Sequence, residues 1–497
     1  MKAFLVALLA LAAQAGASVR LPAVISDRMV LQQGSPLRIW GWADPGEAVT
    51  VTFLGQKASA TAGADGRWKV YLQPQPAGGP YKMTVAGQNK IELTDVLLGE
   101  VWVGSGQSNM VVSVARAKDP EQEIAGANYK QIRLFKVALK VASEPAGDVE
   151  GSWQLCTPEA ARDFSAIGYF FSRDIHRSRS VPVGFIQSAW GGTPAEAWTS
   201  HGALEAEPAL KSVFTEWEET LARYPVAKER YDKQLEAWTS AEKAAKAEGK
   251  PAPARPRPPA GPGHQYTPSG LYNAMIAPLT PLAIRGVLWY QGEHNANKGH
   301  ALIYRRLFQA LIQDWRRAWG EGQFPFLFVQ LANYETGPES AWPVLRESQA
   351  KALDLAATGM AVTIDIGESH DIHPKNKQEV ARRLALAAKA IAYKEQIEYS
   401  GPIFRQASRE AGRLRAWFDH AGSGLAARDG GALAGFTVAG ADGRFVPAEA
   451  RIDGSSVIVS AAEVKEPVAV RYAWAGDPVS NLVNKEGLPA SPFRSDE

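Results

Sequence analysis

Between residues 96 and 398 the chain alternates short apolar, β-favouring runs with amphipathic stretches of helical period. No other feature constrains the fold as tightly. The runs at 100–103, 132–137, 181–188, 286–290, 326–331 and 361–366 are too continuously apolar for strands with one wet face, and so are expected to be buried on both faces. Helical patterns at 166–177, 301–318 and 344–355 separate them, and one at 378–393 closes the series. That order predicts an α/β fold built on a doubly wound, mostly parallel sheet. Such sheets open their ligand crevices at the carboxyl ends of the strands.

The flanks read differently. Residues 18–95 predict a β-sandwich-like or jelly-roll-like domain, with strands at 37–42, 48–54, 68–72 and 81–85 and turns at Pro45-Gly46, Ala64-Asp65-Gly66 and Gly78-Gly79-Pro80. The segment 29–33 is expected to lie against the next domain. Residues 399–497 return to β-rich composition, with turns at Asp429-Gly430-Gly431 and Asp442-Gly443. Residues 203–262 interrupt the α/β alternation. Their charged, helical first part offers Trp217, Leu221, Tyr231, Leu235 and Trp238 as a packing face, and 251–262 is dense in proline and should be extended. The pair reads as a solvated appendage, with a helical wall of the cleft as the alternative.

Residues 1–17 carry a secretory signal pattern: Lys2, an apolar run at 4–13, then Ala15-Gly16-Ala17. The expected destination is the periplasm or the exterior. Net charge is +2, from 54 basic and 52 acidic residues, which gives no reason to expect a nucleic acid or membrane partner. Cys156 is the single cysteine, expected to be a buried, inert thiol. Oligomeric state is not legible.

The run 101–103 ends in Gly104-Ser105-Gly106-Gln107-Ser108-Asn109-Met110. A strand followed by a tight turn lifts one hydroxyl out of the sheet edge, and Ser108 is the candidate nucleophile, with Ser105 as its rival. The closing glycine of a Gly-x-Ser-x-Gly elbow is missing, which disfavours an α/β-hydrolase. A serine needs a base and an oxyanion site. Two Asp-Ile-His phrases exist. Asp174-Ile175-His176 falls within a helical, arginine-rich stretch. Asp371-Ile372-His373 follows a predicted strand, so His373 is the better base and Asp371 its orienting acid. Oxyanion donors are available at two further strand ends, Trp190-Gly191-Gly192-Thr193 and Gln291-Gly292-Glu293-His294-Asn295. Gln107 and Asn109 flank the serine and can orient backbone or substrate. No metal-binding or phosphate-loop pattern appears, and no cofactor is expected.

With these residues in place, the chain resembles the SGNH hydrolase superfamily, and within it the sialate O-acetylesterase family of carbohydrate acetylesterases. The matching phrases are Leu98-Gly99-Glu100-Val101-Trp102 with Gly106-Gln107-Ser108-Asn109-Met110, Trp190-Gly191-Gly192-Thr193-Pro194-Ala195-Glu196-Ala197-Trp198, and Pro268-Ser269-Gly270-Leu271-Tyr272-Asn273. Further along they are Trp289-Tyr290-Gln291-Gly292-Glu293, Asp371-Ile372-His373-Pro374, and Asn484-Lys485-Glu486-Gly487-Leu488-Pro489-Ala490-Ser491-Pro492-Phe493-Arg494. The resemblance implies an SGNH-type sheet, Ser108 as nucleophile and His373 as base. It implies an oxyanion hole from the Ser108 N–H, the Gly191–Gly192 pair and Asn295, and a substrate wall including Gln107, Asn109, Trp190, Gln291, Glu293 and His294. Two departures stand out: His294 occupies a position where such enzymes carry serine, and the usual Asp-x-x-His is here Asp-x-His, with His370 at the acid's place. Asp371, Glu368, Asp365 or a Ser108–His373 dyad therefore all stay open. The expected function is an exported serine esterase removing O-acetyl groups from sialic acid or from a hemicellulose such as xylan or xyloglucan, through an acetyl-serine intermediate. The alternative is a non-catalytic carbohydrate-binding protein.

Overall fold

The structure, a computed structural model, describes residues 19–337 and 340–496; the expected signal segment at 1–17 lies outside them. Its organising element is β1 (Lys90–Gly106), a strand of 17 residues. The first part of β1 alternates exposed and buried side chains and pairs antiparallel with Gly78–Ala86. From Val96 onward every residue is buried, the signature of a strand covered on both faces. One strand thus belongs to both the amino-terminal β structure and the central sheet. Val30–Gln32 pairs parallel with Leu97–Gly99, which seats the 29–33 segment on the central sheet.

The remaining core strands are β2 (Tyr129–Lys136), β3 (Trp153–Cys156), β4 (Val183–Ala189), β5 (Gly286–Tyr290), β6 (Phe326–Val329) and β7 (Thr358–Ala361). Their spatial order is β7-β6-β5-β1-β4-β2-β3. All neighbours run parallel except β3, which lies antiparallel on β2. Side-chain alternation sends Val101, Val103, Val287 and Trp289 to one face, beneath the helix Lys298–Trp319. Trp102, Leu288 and Tyr290 face the helices Ala166–Arg179 and Lys377–Ile391 on the other. Helices therefore cover both faces. Their starts follow from capping: Ser165, Asn297 and Asn376 side chains accept the N–H groups of Gly168, His300 and Glu379.

Two expectations about the sheet are corrected. The edge strand β3 was not foreseen. The last core strand ends at Ala361, where the sequence suggested 361–366. Residues 362–364 are buried and Asp365 half-buried, held by anchoring rather than pairing: Thr363 Oγ1 donates to the Gln330 carbonyl at 2.6 Å, and Asp365 is gripped by Arg383 at 2.6 and 2.7 Å.

The carboxy-terminal region forms two four-stranded antiparallel sheets and a two-stranded pair. It is fastened to the α/β core by Arg346, fully buried on the helix Trp342–Ala350. The Arg346 guanidinium donates to the carbonyls of Leu331 and Ala332 on one side and of Ala475 and Gly476 on the other, at 2.7–2.8 Å.

The insertion is one helix, Lys211–Ala247, with the proline-rich 251–262 running back along it. The expected face (Trp217, Leu221, Tyr231, Leu235, Trp238) is its half-buried stripe. Trp238 Nε1 donates to the Pro253 carbonyl at 2.8 Å, and Arg255 lies over the same indole. Most of the helix is exposed, as an appendage would be, but its first turns pack near His294 and His300. Cys156 is buried, and burial pushes its thiol up to about 12.

Arg346→Met should take the guanidinium away from four carbonyls, those of Leu331 and Ala332 being buried, costing roughly 3 kcal/mol or more. Urea unfolding should show this as a lower midpoint, with loss of the carboxy-terminal region's protection from proteolysis before the core's.

Candidate active site

The ends of β4, β1 and β5 stand in a row: Ala189 pairs with Gly106, and Gly106 with Tyr290. Each strand then releases one of the predicted loops at the carboxyl edge. The turn after β1 depends on Gly106, whose φ is +127° and whose missing side chain would sit 2.1 Å from the Tyr290 carbonyl oxygen. Gln107 N–H donates to that oxygen at 2.9 Å, and Trp190 N–H donates to the Gly106 carbonyl at 3.1 Å. Ser108 therefore emerges at the first residue of the short helix Ser108–Val111, half-buried. Gly191 lies beside it: a β-carbon there would be 3.5 Å from Ser108 Cβ. The rival Ser105 is fully buried within β1, away from the crevice.

Asn295 is held at the third loop with its amide orientation fixed. Its Oδ1 accepts from Ala195 N–H at 3.1 Å and from Gln291 Nε2 at 2.6 Å, and its Nδ2 donates to Glu196 Oε2 at 2.9 Å. An amide nitrogen carries two protons, so the second is available to a ligand oxygen. Gln291 is itself locked, accepting from the Tyr304 hydroxyl at 2.7 Å.

His373 is part-exposed in the loop before the helix Lys377–Ile391. Asp371 Oδ1 accepts the His373 backbone N–H at 2.9 Å and lies 3.7 Å from Nδ1. At that length it is an electrostatic partner of the ring rather than a hydrogen-bonded one. Burial holds the His373 imidazole below its ordinary pKa, against the opposing pull of Asp371; Lys377 and Arg116 push the same way as burial. The other acids are engaged elsewhere. Asp365 is locked between Arg383 and Arg428, Glu368 accepts the Lys375 N–H, and His370 pairs with Glu335. His176 of the first Asp-Ile-His phrase sits on the helix Ala166–Arg179, 2.8 Å from the Val181 carbonyl, outside this site.

The serine and histidine loops are joined by Asn109. Its Nδ2 donates to the Ile372 carbonyl at 2.9 Å and to Glu293 Oε1 at 2.5 Å, and its Oδ1 accepts from Lys377 Nζ at 2.5 Å. One amide, that of the residue after Ser108, thus reaches the residue before His373. Lys377 is fully buried, and burial pushes its ammonium down to about 7 while Glu293 is pushed up for the same reason. The Lys377 ammonium also sits 5.3 Å over the Tyr290 ring.

Several residues expected to face substrate are occupied with protein groups. Gln107 is buried, and its Oε1 accepts the N–H groups of Gly292 and His294 at 3.4 and 3.2 Å. Asn109 and Gln291 are buried and bonded as described. Trp190, Glu293 and His294 are half-buried, and His294 Nδ1 lies 2.8 Å from the Gly192 carbonyl, bracing the glycine pair. The sequence reading missed Lys377, Glu196 and Gln265, whose Nε2 donates to the Gly191 carbonyl at 3.1 Å. Lys377 had a signal: it shares a helix face with Val380, Ala381, Leu384 and Ala388, an apolar stripe on which a lysine is out of place. It also missed a second cavity, about 470 Å³, that adjoins His373 and is lined by Arg116, Lys118 and Lys375 alongside Asp119 and Asp371.

Several known proteins are similar to this chain. A family model described as carbohydrate esterase, sialic acid-specific acetylesterase, matches residues 262–392. The chain is 33% identical over 444 residues to sialate O-acetylesterase of Rattus norvegicus, covering 78% of this chain and 76% of that protein. It is 31% identical over 430 residues to sialate O-acetylesterase of Homo sapiens, covering 78% and 74%. A crystal structure described as a novel carbohydrate acetylesterase from Xanthomonas citri superposes with a TM-score of 0.82 at 41% identity, over 96% of this chain and 99% of that one.

The depressed His373 pKa has a testable sign. An NMR titration should place its midpoint below the ordinary value of 6.5. Asp371→Asn removes the one influence that raises it, so the midpoint should fall further. A rise in the variant would contradict the geometry.

Proposed function

The chain belongs to the sialate O-acetylesterase family of carbohydrate esterases, and from that premise we propose that it is an exported serine esterase of SGNH type, acting through an acetyl-serine intermediate. As a family member it is a carboxylic ester hydrolase whose substrates are acetylated carbohydrates. In the proposed mechanism, Ser108 Oγ attacks the acetyl carbonyl carbon while the neutral His373 imidazole takes its proton. The carbonyl oxygen becomes negative as the tetrahedral intermediate forms. It is met by the N–H groups of Ser108 and the Gly191–Gly192 loop and by the Asn295 amide. The carbon–oxygen bond to the sugar breaks, and the imidazolium gives its proton to the departing sugar oxygen, which leaves as a hydroxyl. Water, deprotonated by the same imidazole, then attacks the acetyl carbon, and the imidazolium returns the proton to Ser108 Oγ as acetate leaves. Asp371 stabilises the imidazolium through space at 3.7 Å.

The observation that carries this reading is the row Ala189–Gly106–Tyr290, since it delivers nucleophile and both loop donors to one edge. The substrates proposed are O-acetylated sialic acid or an acetylated hemicellulose such as xylan or xyloglucan. The basic, apolar, then small-residue pattern of residues 1–17 supports export to the periplasm or exterior. The flanking β regions are read as sandwich-like supports for the hydrolase core.

Acetate release from acetylated sialic acid, xylan and xyloglucan fragments, with p-nitrophenyl acetate as control, tests the proposal. Ser108→Ala should lower kcat by a factor of roughly 10⁴ or more, and Asn295→Ala by about 10²–10³. Activity with an acid limb set by His373 should persist below pH 6.5, because the base is neutral above its depressed pKa. Release that survives Ser108→Ala would refute the mechanism.

A further inference from the structure

A cavity of about 130 Å³ opens where the insertion meets the core. Several chain segments build it, the stretch after the glycine pair contributing Pro194 and Glu196. The first turns of the helix Lys211–Ala247 supply Val213 and Trp217, the exit of the insertion supplies Tyr266, and the loop after β5 supplies His294. The cavity adjoins the reacting centre through two links. His294 Nδ1 lies 2.8 Å from the carbonyl of Gly192, whose neighbour Gly191 flanks Ser108. Gln265, beside Tyr266, donates to the Gly191 carbonyl at 3.1 Å. The insertion is also latched to the core here: Glu216 Oε2 is 2.6 Å from His300 Nε2.

We propose that this cavity is a subsite for a neutral pyranose ring of an oligosaccharide, next to the acetylated unit; the inference rests on the esterase reading of Ser108. The wall chemistry carries it. Indole, phenol and imidazole rings around an apolar floor match the C–H faces of a sugar, and a few fixed polar groups match its hydroxyls. Tyr266 and His294 rings meet edge to face at 4.6 Å, so their positions are set before any ligand arrives. The charged groups lining the cavity include the carboxylates of Glu196 and Glu216 and no lysine or arginine. Glu196 holds Asn295 at 2.9 Å, so it cannot turn away from an incoming anion without releasing the oxyanion amide. A carboxylate-bearing sugar is therefore disfavoured in this subsite, and an uncharged one is accepted. The insertion, on this account, measures the chain that carries the acetyl group.

The experiment compares kcat/KM on an acetylated xylo-oligosaccharide, on mono-acetylated xylose and on p-nitrophenyl acetate, for the wild type, Trp217→Ala and Thr220→Trp. The first variant removes a wall and the second fills the cavity from an otherwise solvent-facing turn. The wild type should prefer the oligosaccharide over the monosaccharide by about tenfold, the scale of one aromatic contact. Both variants should lose that preference, through KM, while p-nitrophenyl acetate turnover stays within about twofold. Equal loss on all three substrates would mean a structural role for Trp217 and overturn the proposal. So would an unchanged oligosaccharide preference in Thr220→Trp, or a wild type that shows no preference for the oligosaccharide over the monosaccharide. Ser108→Ala run in parallel separates the two failures: turnover that survives it strikes the esterase reading, not the subsite alone.

Discussion

The Asn109 side chain is the interaction on which the site depends. Ser108 and His373, the proposed nucleophile and base, lie more than 260 positions apart in the chain, on separate loops. The Asn109 amide spans the gap, holding the Ile372 carbonyl with the Lys377 ammonium on one side and the Glu293 carboxylate on the other. Neither charge is stable alone in that interior, as the opposite displacements of their pKa values express. Together with an amide between them they are tolerated, and the arrangement fixes two loops at once. Breaking such a buried set typically costs several kcal/mol because each partner is left unpaired. Geometry at Ser108 is thus tied to the charge balance behind it.

A second layer of support comes from shared elements. β1 enters as a strand of the amino-terminal β structure and leaves as the central strand of the core, so the two regions cannot shift independently at the serine. At the opposite side Arg346 joins core carbonyls to those of Ala475 and Gly476. Gln330, next to β6, donates to Ser491 Oγ at 3.0 Å. The flanking regions act as braces on the sheet edge where the chemistry is placed.

Much of this was legible in the sequence, for reasons that differ by element. Buried parallel strands announce themselves through continuous apolar runs, and 286–290 matches β5 residue for residue. Strand ends were less clear: 362–366 is as apolar as a strand, but Thr363 and Asp365 anchor it without pairing. The loops bearing Ser108, the glycine pair, Asn295 and His373 were readable because each follows a strand. What could not be read was the division of labour. Gln107, Asn109 and Gln291 look like ligand-facing polar residues, yet each spends its polar atoms on backbone or neighbouring side chains. That distinction lives in distances between loops far apart in sequence. The insertion shows the same limit, since its stripe of aromatics was visible but the nearness of Trp217 to His294 was not.

The central claim is that Ser108 carries the acetyl group between sugar and water. The most direct measurement is rapid acid quench during turnover of an acetyl ester, followed by peptide mass spectrometry. The account predicts an acetyl adduct on the peptide containing Ser108, accumulating before steady state and absent from the Ser108→Ala protein. An adduct on a different residue, or hydrolysis at full rate with no adduct in either protein, would contradict it.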